Sequence, residues 1–192
     1  MYPKRNNSLE VISLFRANYQ KRFYLREISR LTKIPLKTSQ NILLILEKSK
    51  ILKSKTEGKN KYFFLNQENI AVKFMLLQAE VYKTDQFAEK YSQFKMFLKS
   101  LKTTAPIIVF GSFAKFTANQ NSDLDLLVIS EKKLELPFHL LPFQPHEIRM
   151  IKKTFWKALK EQEDLIKEIE ENHIILNNHS FYVDTMWRYY GK

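Results

Sequence analysis

The first 50 residues carry apolar side chains at the three- and four-residue intervals typical of amphipathic helices. This spacing predicts three helices, over residues 8–19, 24–31 and 36–48. Pro35 disfavours helical backbone at Ile34, so the chain is expected to turn between the second and third helices. The third helix is predicted to point four core residues inward, namely Ile42, Leu43, Ile45 and Leu46.

Beyond the third helix the pattern changes to short strands. Residues 51–55 and 61–65 are predicted to pair as a hairpin, with Gly58 in the turn that joins them. Residues 67–100 return to helical spacing. They form either one long helix or two helices that meet at Thr84-Asp85, the least helix-favouring point. The sequence leaves both arrangements open.

The last third of the chain combines short apolar runs with helical segments. Residues 107–110 and 124–129 are continuous apolar runs, typical of strands buried on both faces. Residues 136–143 are predicted as a third strand, at an edge because two prolines interrupt it. Helices are predicted over residues 145–159, 163–171 and 180–189. The fold class is therefore α+β, with predicted segments 1–66, 67–102 and 103–192.

Positive charge is concentrated in the first of these segments. The chain has a net charge of +12, and residues 1–66 hold 15 Lys and Arg against 4 Asp and Glu, a net of +11. Such an asymmetric field predicts a polyanionic partner for this segment. The chain has no cysteine, which excludes disulfides and fits a reducing cytoplasm. No apolar run is long enough to cross a membrane, and residues 1–5 show no secretory signal.

The order helix, helix, turn, helix and basic hairpin is typical of a winged helix-turn-helix. Residues 23–41 and the hairpin residues 58–66 resemble those of prokaryotic winged-helix regulators. The resemblance implies that the third helix enters the major groove of double-stranded DNA, with base-reading residues Lys37, Thr38, Gln40 and Asn41. It implies phosphate contacts from Arg26, Arg30, Lys55, Lys59 and Lys61.

A second motif spans residues 107–129. A buried strand ends in Gly111-Ser112, and Asp123-Leu124-Asp125 opens the next apolar run. This arrangement resembles the minimal nucleotidyltransferases of the DNA polymerase beta superfamily, in its spacing from Ser112 to Asp123 and in the preceding Asn121-Ser122. The resemblance implies an NTP site with two metal-binding aspartates. The nucleotide-binding residues implied are Gly111, Ser112, Lys115 and Ser122.

The chemistry of these residue types supports the same hypothesis. Glycine lets the backbone approach phosphates closely, and exposed amides with the Ser112 hydroxyl hold them. Asp123 and Asp125 are two apart on a predicted strand, so both carboxylates project from one face. Paired carboxylates beside phosphates favour Mg²⁺ as the cofactor. Both aspartates are therefore the predicted metal-binding and catalytic residues.

The sequence departs from the family pattern in two places. Phe116 stands where many relatives have glycine, so either the turn there is built differently or the ring packs against the following helix. The family's third carboxylate is expected on the next strand, where His139 aligns best and is the remaining catalytic candidate. The alternative is that His139 has no catalytic role and is a partly buried histidine with its hydrogen bonds made within the protein. Glu135 could supply the third carboxylate only if the register of this strand shifts. Glu147 could supply it only if residues 146–150 are strand rather than helix.

Two functions remain open from the sequence. The first is transfer of a nucleoside monophosphate from an NTP to a hydroxyl of RNA, a small molecule or a partner protein, such as a toxin. The second is a DNA-binding transcriptional regulator whose nucleotidyltransferase fold only binds nucleotide or mediates homodimerisation. His173 and His179 are predicted to be polar loop residues.

Overall fold

The computed structural model describes residues 6–191, so the expectation about residues 1–5 falls outside the described part of the chain. The described residues fall into two compact units. The first comprises residues 6–79 and 186–191, and the second residues 80–185. The three segments expected from the sequence stay a prediction.

The first unit combines short helices with a three-stranded antiparallel sheet of order β1-β3-β2. Its elements are α1 (Asn7–Ser13), β1 (Phe23–Tyr24), α2 (Leu25–Thr32), α3 (Leu36–Lys48), β2 (Leu52–Glu57) and β3 (Asn60–Leu65). Asn6 caps α1 by accepting a hydrogen bond from the Leu9 amide at 3.1 Å. The predicted hairpin is confirmed, with Glu57 paired to Asn60 across Gly58, whose φ is +60°.

The core of this unit joins all three helices to the sheet. Phe15 packs edge-on against Phe23 with ring centroids 5.1 Å apart, and Ile28 and Leu43 are buried with them. The prediction for α3 was correct for Ile42, Leu43 and Leu46. It was wrong for Ile45, which is 64% exposed. Leu44 is also exposed, so this helix shows an apolar patch to solvent.

Residues 67–100 contain two helices, α4 (Ile70–Lys90) and α5 (Phe94–Ser100). The break lies at residues 91–93, so its predicted place at Thr84-Asp85 was wrong. The Thr84 hydroxyl explains the difference, because it lies 3.1 Å from the Glu80 carbonyl and 2.7 Å from that of Ile175. These contacts satisfy the hydroxyl inside the helix and remove its competition with the helical backbone.

The second unit is built on a mixed four-stranded sheet of order β6-β5-β4-β7. Strand β4 is antiparallel to both neighbours, and β5 is parallel to β6. Its elements after α5 are β4 (Ile107–Val109), α6 (Gly111–Ala114), β5 (Leu124–Ile129), a 3-10 helix (Phe138–Leu140), β6 (Pro145–Met150), α7 (Lys152–Glu161), α8 (Asp164–Glu171), β7 (Ile174–Asn177) and α9 (His179–Tyr190). Helices α4 and α9 contribute residues to both units.

The third strand lies later in the chain than predicted. Residues 136–143 are not a strand, because Pro137 and Pro142 lack amide donors for a ladder and the chain turns into the 3-10 helix instead. Residues 145–150, predicted as the start of a helix, are strand β6. Backbone hydrogen bonds pair it with β5 along its whole length. At one end the Leu124 amide donates to the Gln144 carbonyl at 2.8 Å, and at the other the Ser130 amide donates to the Met150 carbonyl at 2.9 Å.

Strands β4, β5 and β7 of the second unit are largely buried, and aromatic side chains pack against the sheet. Strand β4 is buried at every position, as its continuous apolar run predicts. Phe87, Phe94 and Phe113 form part of the adjoining core. The fold is thus a mixture of helices with two sheets, which confirms the α+β class. No helix within residues 6–191 is both long and apolar enough to cross a membrane.

Candidate functional site

The end of β4 and the start of β5 bring the two halves of the second sequence motif together. The strands are antiparallel, with Val109 opposite Leu126. The Phe110 amide donates to the Asp125 carbonyl at 3.1 Å. The chain then enters α6 at Gly111, so this glycine lies beside the Asp125 carboxylate at one edge of the sheet.

Gly111 is required here for two separate reasons. Its φ is +65°, a left-handed conformation that side chains disfavour. A Cβ at this position would also overlap Asp125 Oδ2 and lie 3.3 Å from Asp125 Cγ. The bare backbone therefore lets the Asp125 carboxylate pack directly against the loop. A bound phosphate and its cation fit this kind of surface.

Ser112 follows with its carbonyl occupied and its hydroxyl free. The carbonyl accepts from the amides of Thr117 at 3.0 Å and Ala118 at 3.2 Å. The half-buried hydroxyl has no hydrogen-bond partner among residues 6–191. It is therefore available to a ligand at the mouth of this loop.

Asp123 and Asp125 differ in their exposure. Asp123 is exposed just before β5, whereas the Asp125 side chain is 27% exposed on the strand. Asp125 lies in β5, and Asp123, two residues earlier, directly precedes the strand. Two solvent-accessible carboxylates beside a glycine-backed loop are the hard oxygen donors that Mg²⁺ prefers, so the residues fit this cofactor. Within the described chain, no group of three or more Asp, Glu, His and Cys side chains is arranged to hold a metal.

Strand β6 brings His146, rather than an acid, to this face. His146 is opposite Asp125 in the parallel register, and its Nδ1 lies 3.1 Å from Asp125 Oδ1. Glu147 meets the condition stated for it, because residues 146–150 are strand. However, it is paired with Leu126 on the opposite face and forms an ion pair with Arg149. Sequence reasoning missed His146 because it assigned these residues to a helix.

His139 and Glu135 lie elsewhere. The strand position expected for His139 was wrong, since the residue is exposed on the 3-10 helix. Both residues line a shallow cleft of about 430 Å³ with Ser100 and Lys102. Asp123 and Asp125 do not line this cleft, and the described residues show no hydrogen bond from His139 or Glu135 to either aspartate. The catalytic role suggested for His139 stays a prediction without geometric support.

The other two nucleotide-site candidates are engaged within the protein. Lys115 Nζ contacts Glu168 Oε1 on α8 at 3.1 Å, with both side chains partly exposed. The Ser122 hydroxyl accepts from the Asn119 amide at 2.9 Å and so closes the loop before Asp123. Ser122 therefore shapes the approach to the aspartates, and Lys115 would have to exchange Glu168 for a phosphate.

Phe116 keeps the backbone conformation that glycine would adopt. Its φ is +58°, and its ring packs against Phe87 and Tyr91 with centroids 6.3 Å away in each case. The Lys90 ammonium donates to the Phe116 carbonyl. The helix that the ring packs against is α4, which precedes Phe116, rather than the helix expected to follow it. This packing offsets the strain of the left-handed residue.

A groove between α3 and the hairpin gathers several residues of the predicted DNA interface. It has a volume of about 660 Å³ and is lined in part by Arg26, Gln40, Lys59 and Lys61. Lys37 and Asn41 are exposed on the same helix, and Thr38 is half-buried. The groove is flanked by the exposed Leu44.

The cations of this surface fall into two groups. Lys61 pairs with Glu47 at 2.8 Å, and Lys55 pairs with Glu57 at 3.4 Å. The Lys61 ammonium and the Ser54 hydroxyl lower the pKa of Glu47 by hydrogen bonding to it. Four cations have no ion-pair partner among residues 6–191, namely Arg26, Arg30, Lys37 and Lys59. These four are the least compensated charges of the predicted interface.

Comparison with known proteins identifies the second motif. Residues 91–179 match the family model described as a nucleotidyltransferase domain. Neither the curated proteins nor the solved structures provide a match. The matched range contains the Gly111 loop, both aspartates and all four strands of the β6-β5-β4-β7 sheet. Over residues 91–179 the chain is therefore similar to nucleotidyltransferase domains.

Proposed function

We propose that the protein transfers a nucleoside monophosphate from an NTP to a hydroxyl acceptor, with Mg²⁺ held by Asp123 and Asp125. The close approach of Gly111 to the Asp125 carboxylate carries this proposal. Backbone without a side chain packs here against a carboxylate that solvent can reach. The similarity of residues 91–179 to nucleotidyltransferase domains supports the same reaction class.

Each residue of the loop has a defined task in this reaction. The backbone at Gly111 and the hydroxyl of Ser112 bind the triphosphate, and the two aspartates would hold Mg²⁺ beside its α-phosphate. The acceptor oxygen forms a bond to the α-phosphorus, the bond to the bridging oxygen breaks, and pyrophosphate leaves with that electron pair. The hydroxyl proton passes to solvent. Bound magnesium supplies charge neutralisation and a more acidic acceptor hydroxyl.

The test is transfer of label from α-³²P-labelled NTPs to components of a cell lysate in the presence of magnesium. We expect labelling by the native protein and none by the Asp123→Ala/Asp125→Ala double variant. Asp164→Ala is the matched control, because Asp164 is an exposed aspartate on α8 that pairs with Lys167. Labelling that persists in the double variant would refute the proposed site.

The acceptor follows from the same labelled products. RNA, a protein side chain, such as one of a partner toxin, and a small molecule all offer a hydroxyl. Loss of the labelled band after ribonuclease treatment identifies RNA, and loss after protease identifies a protein. Label that passes through a small-pore filter identifies a small molecule.

For the first unit we propose binding of double-stranded DNA as a winged helix-turn-helix. The order of helices and strands, the turn before Leu36 and the hairpin at Gly58 support this assignment. Helix α3 presents Lys37, Gln40 and Asn41 to solvent. Uncompensated cations on α2, α3 and the hairpin supply phosphate contacts. Binding that weakens steeply with salt is the expected result.

One observation favours the alternative of a regulator without transferase activity. Glu147 points away from the aspartates, so β6 adds no third carboxylate to their face. In this version the domain binds nucleotide or joins two copies, and α4 sets the spacing of two DNA-binding units. Exposed Ile70 and Phe74, one turn apart on α4, are compatible with such a homodimer. Specific DNA binding without label transfer under any condition would favour this version.

A further inference from the structure

The two oxygens of the Asp125 carboxylate have different neighbours. Oδ1 lies 3.1 Å from His146 Nδ1 on the adjacent parallel strand. Oδ2 packs against the Gly111 backbone, where a Cβ would overlap it. The Asp125 rotamer is therefore defined from two sides, by the imidazole on β6 and by the bare backbone at the end of β4.

We propose that His146 is a positioning residue for Asp125, an inference that rests on the proposed function. Its Nδ1–H donates to Oδ1 and so holds Oδ2 against the Gly111 loop, where a cation would be shared with the phosphates. Hydrogen bonds of this kind fix a ligating carboxylate and raise its effectiveness toward metals. His146 acts through Asp125 and does not itself contact the reacting atoms.

The register of β6 explains why this residue has the role. His146 shares the face of Asp125, whereas its neighbour Glu147 is on the other face with Arg149. The His146 side chain is 67% exposed, so its contact with Asp125 is not a consequence of core packing.

Metal binding tests the proposal without reference to activity. Mn²⁺ titrations followed by electron paramagnetic resonance compare the native protein with His146→Ala, His146→Asn and Asp125→Ala. We expect about a 10-fold weaker affinity for the alanine variant, which is typical of losing such a hydrogen bond. Asparagine places an N–H donor close to the position of Nδ1 and should restore most of the loss. Lys153→Ala, at an exposed position on α7, should bind as the native protein does.

The tautomer of His146 gives an independent measurement. Nitrogen-15 NMR at alkaline pH, where imidazole is neutral, should show the proton on Nδ1 in the native protein. Assignment uses the signal that disappears in His146→Asn. A proton on Nε2 overturns the proposal, because Nδ1 could not then donate to Asp125.

The outcomes separate this inference from the function on which it rests. If Asp125→Ala loses Mn²⁺ binding while His146→Ala keeps it, the positioning role is overturned and the aspartate site stands. If the native protein binds no Mn²⁺, the proposed function fails, and the inference fails with it. Weakening by alanine with recovery by asparagine supports the positioning role, since a purely structural histidine would not be replaced in this way.

Discussion

Gly111 and Asp125 are so close that the Asp125 carboxylate fills the space a Cβ would need at position 111. The contact joins the end of β4 to the start of β5, where the two strands of the motif meet. A glycine here is therefore part of the site and also of the fold. Substitutions can separate these two contributions.

Replacement of Gly111 by alanine should abolish the site while leaving the protein folded. Alanine in left-handed backbone costs about 1–2 kcal/mol, and its methyl group would also displace the Asp125 carboxylate. We expect at least a 10-fold loss of Mn²⁺ affinity and of label transfer, on the order of 1.4 kcal/mol or more. Titration and transfer assays measure both effects.

Gly58→Ala is the matched control. Gly58 has nearly the same φ, +60°, but no atom lies within 4 Å of a Cβ placed there. This variant should show a similar backbone penalty of about 1–2 kcal/mol in denaturant unfolding, with unchanged Mn²⁺ binding. Equal losses of Mn²⁺ affinity in both variants would mean that general destabilisation, rather than the Asp125 contact, explains the effect.

Phe116 should reverse the usual order of alanine and glycine. Both substitutions remove the ring from Phe87 and Tyr91 and so destabilise the protein. Glycine also relieves the positive φ of +58°, whereas alanine does not. We expect Phe116→Gly to be about 1 kcal/mol more stable than Phe116→Ala, as measured by chemical unfolding.

The comparison requires a site with ordinary helical backbone. Lys157, exposed in the middle of α7, provides it. There the alanine variant should be more stable than the glycine variant by about 1 kcal/mol. The same order at positions 116 and 157 would contradict the left-handed conformation of Phe116.

The sequence was sufficient for the parts of the site that depend on local structure. Gly111 and the aspartates follow one another within 15 residues along two strands whose apolar runs are continuous. Short spacing and strong local patterns together fix which residues meet. Helix α3 and the hairpin were predicted for the same reason, because Pro35 and Gly58 mark their boundaries.

Contacts that depend on distant pairing could not be predicted. Strand β6 is at an edge and is partly exposed on both faces, so its sequence shows no clear alternation. Its strand state comes from pairing with β5, which also decides that His146 rather than Glu147 faces Asp125. His173, predicted as a polar loop residue, is buried and lies 3.1 Å from Glu80, 93 residues earlier.

The hairpin should lose part of its attachment to α3 in acid. Hydrogen bonds from Lys61 and Ser54 lower the pKa of Glu47 in the folded protein. A lowered carboxyl pKa stabilises the fold above the unfolded-state pKa, and this contribution disappears as the pH falls through the folded-state pKa. Glu47→Gln should therefore cost up to about 1 kcal/mol at neutral pH, with a smaller difference from the native protein at each lower pH.

Urea unfolding at a series of pH values measures this difference. Glu161→Gln is the control, because Glu161 forms a more distant and more exposed ion pair with Lys157, at 3.7 Å. Glu161→Gln should change the free energy of unfolding by close to zero at every pH. A Glu47→Gln cost that grows as the pH falls would contradict the sign of the pKa shift.

Lys59 should contribute to DNA affinity through phosphate contact alone. It is exposed at the hairpin tip, lines the groove beside α3 and has no ion-pair partner among the described residues. Lys59→Ala should weaken binding to all duplex sequences similarly and lower the slope of log affinity against log salt by about 1. Lys61→Ala should have a smaller effect, because Lys61 is already paired with Glu47.

Lys153, exposed on α7 in the other unit, provides the control substitution, and its alanine variant should keep the native slope. Fluorescence anisotropy with labelled duplexes at several salt concentrations gives these slopes, and identical slopes for all four proteins would refute the proposed interface.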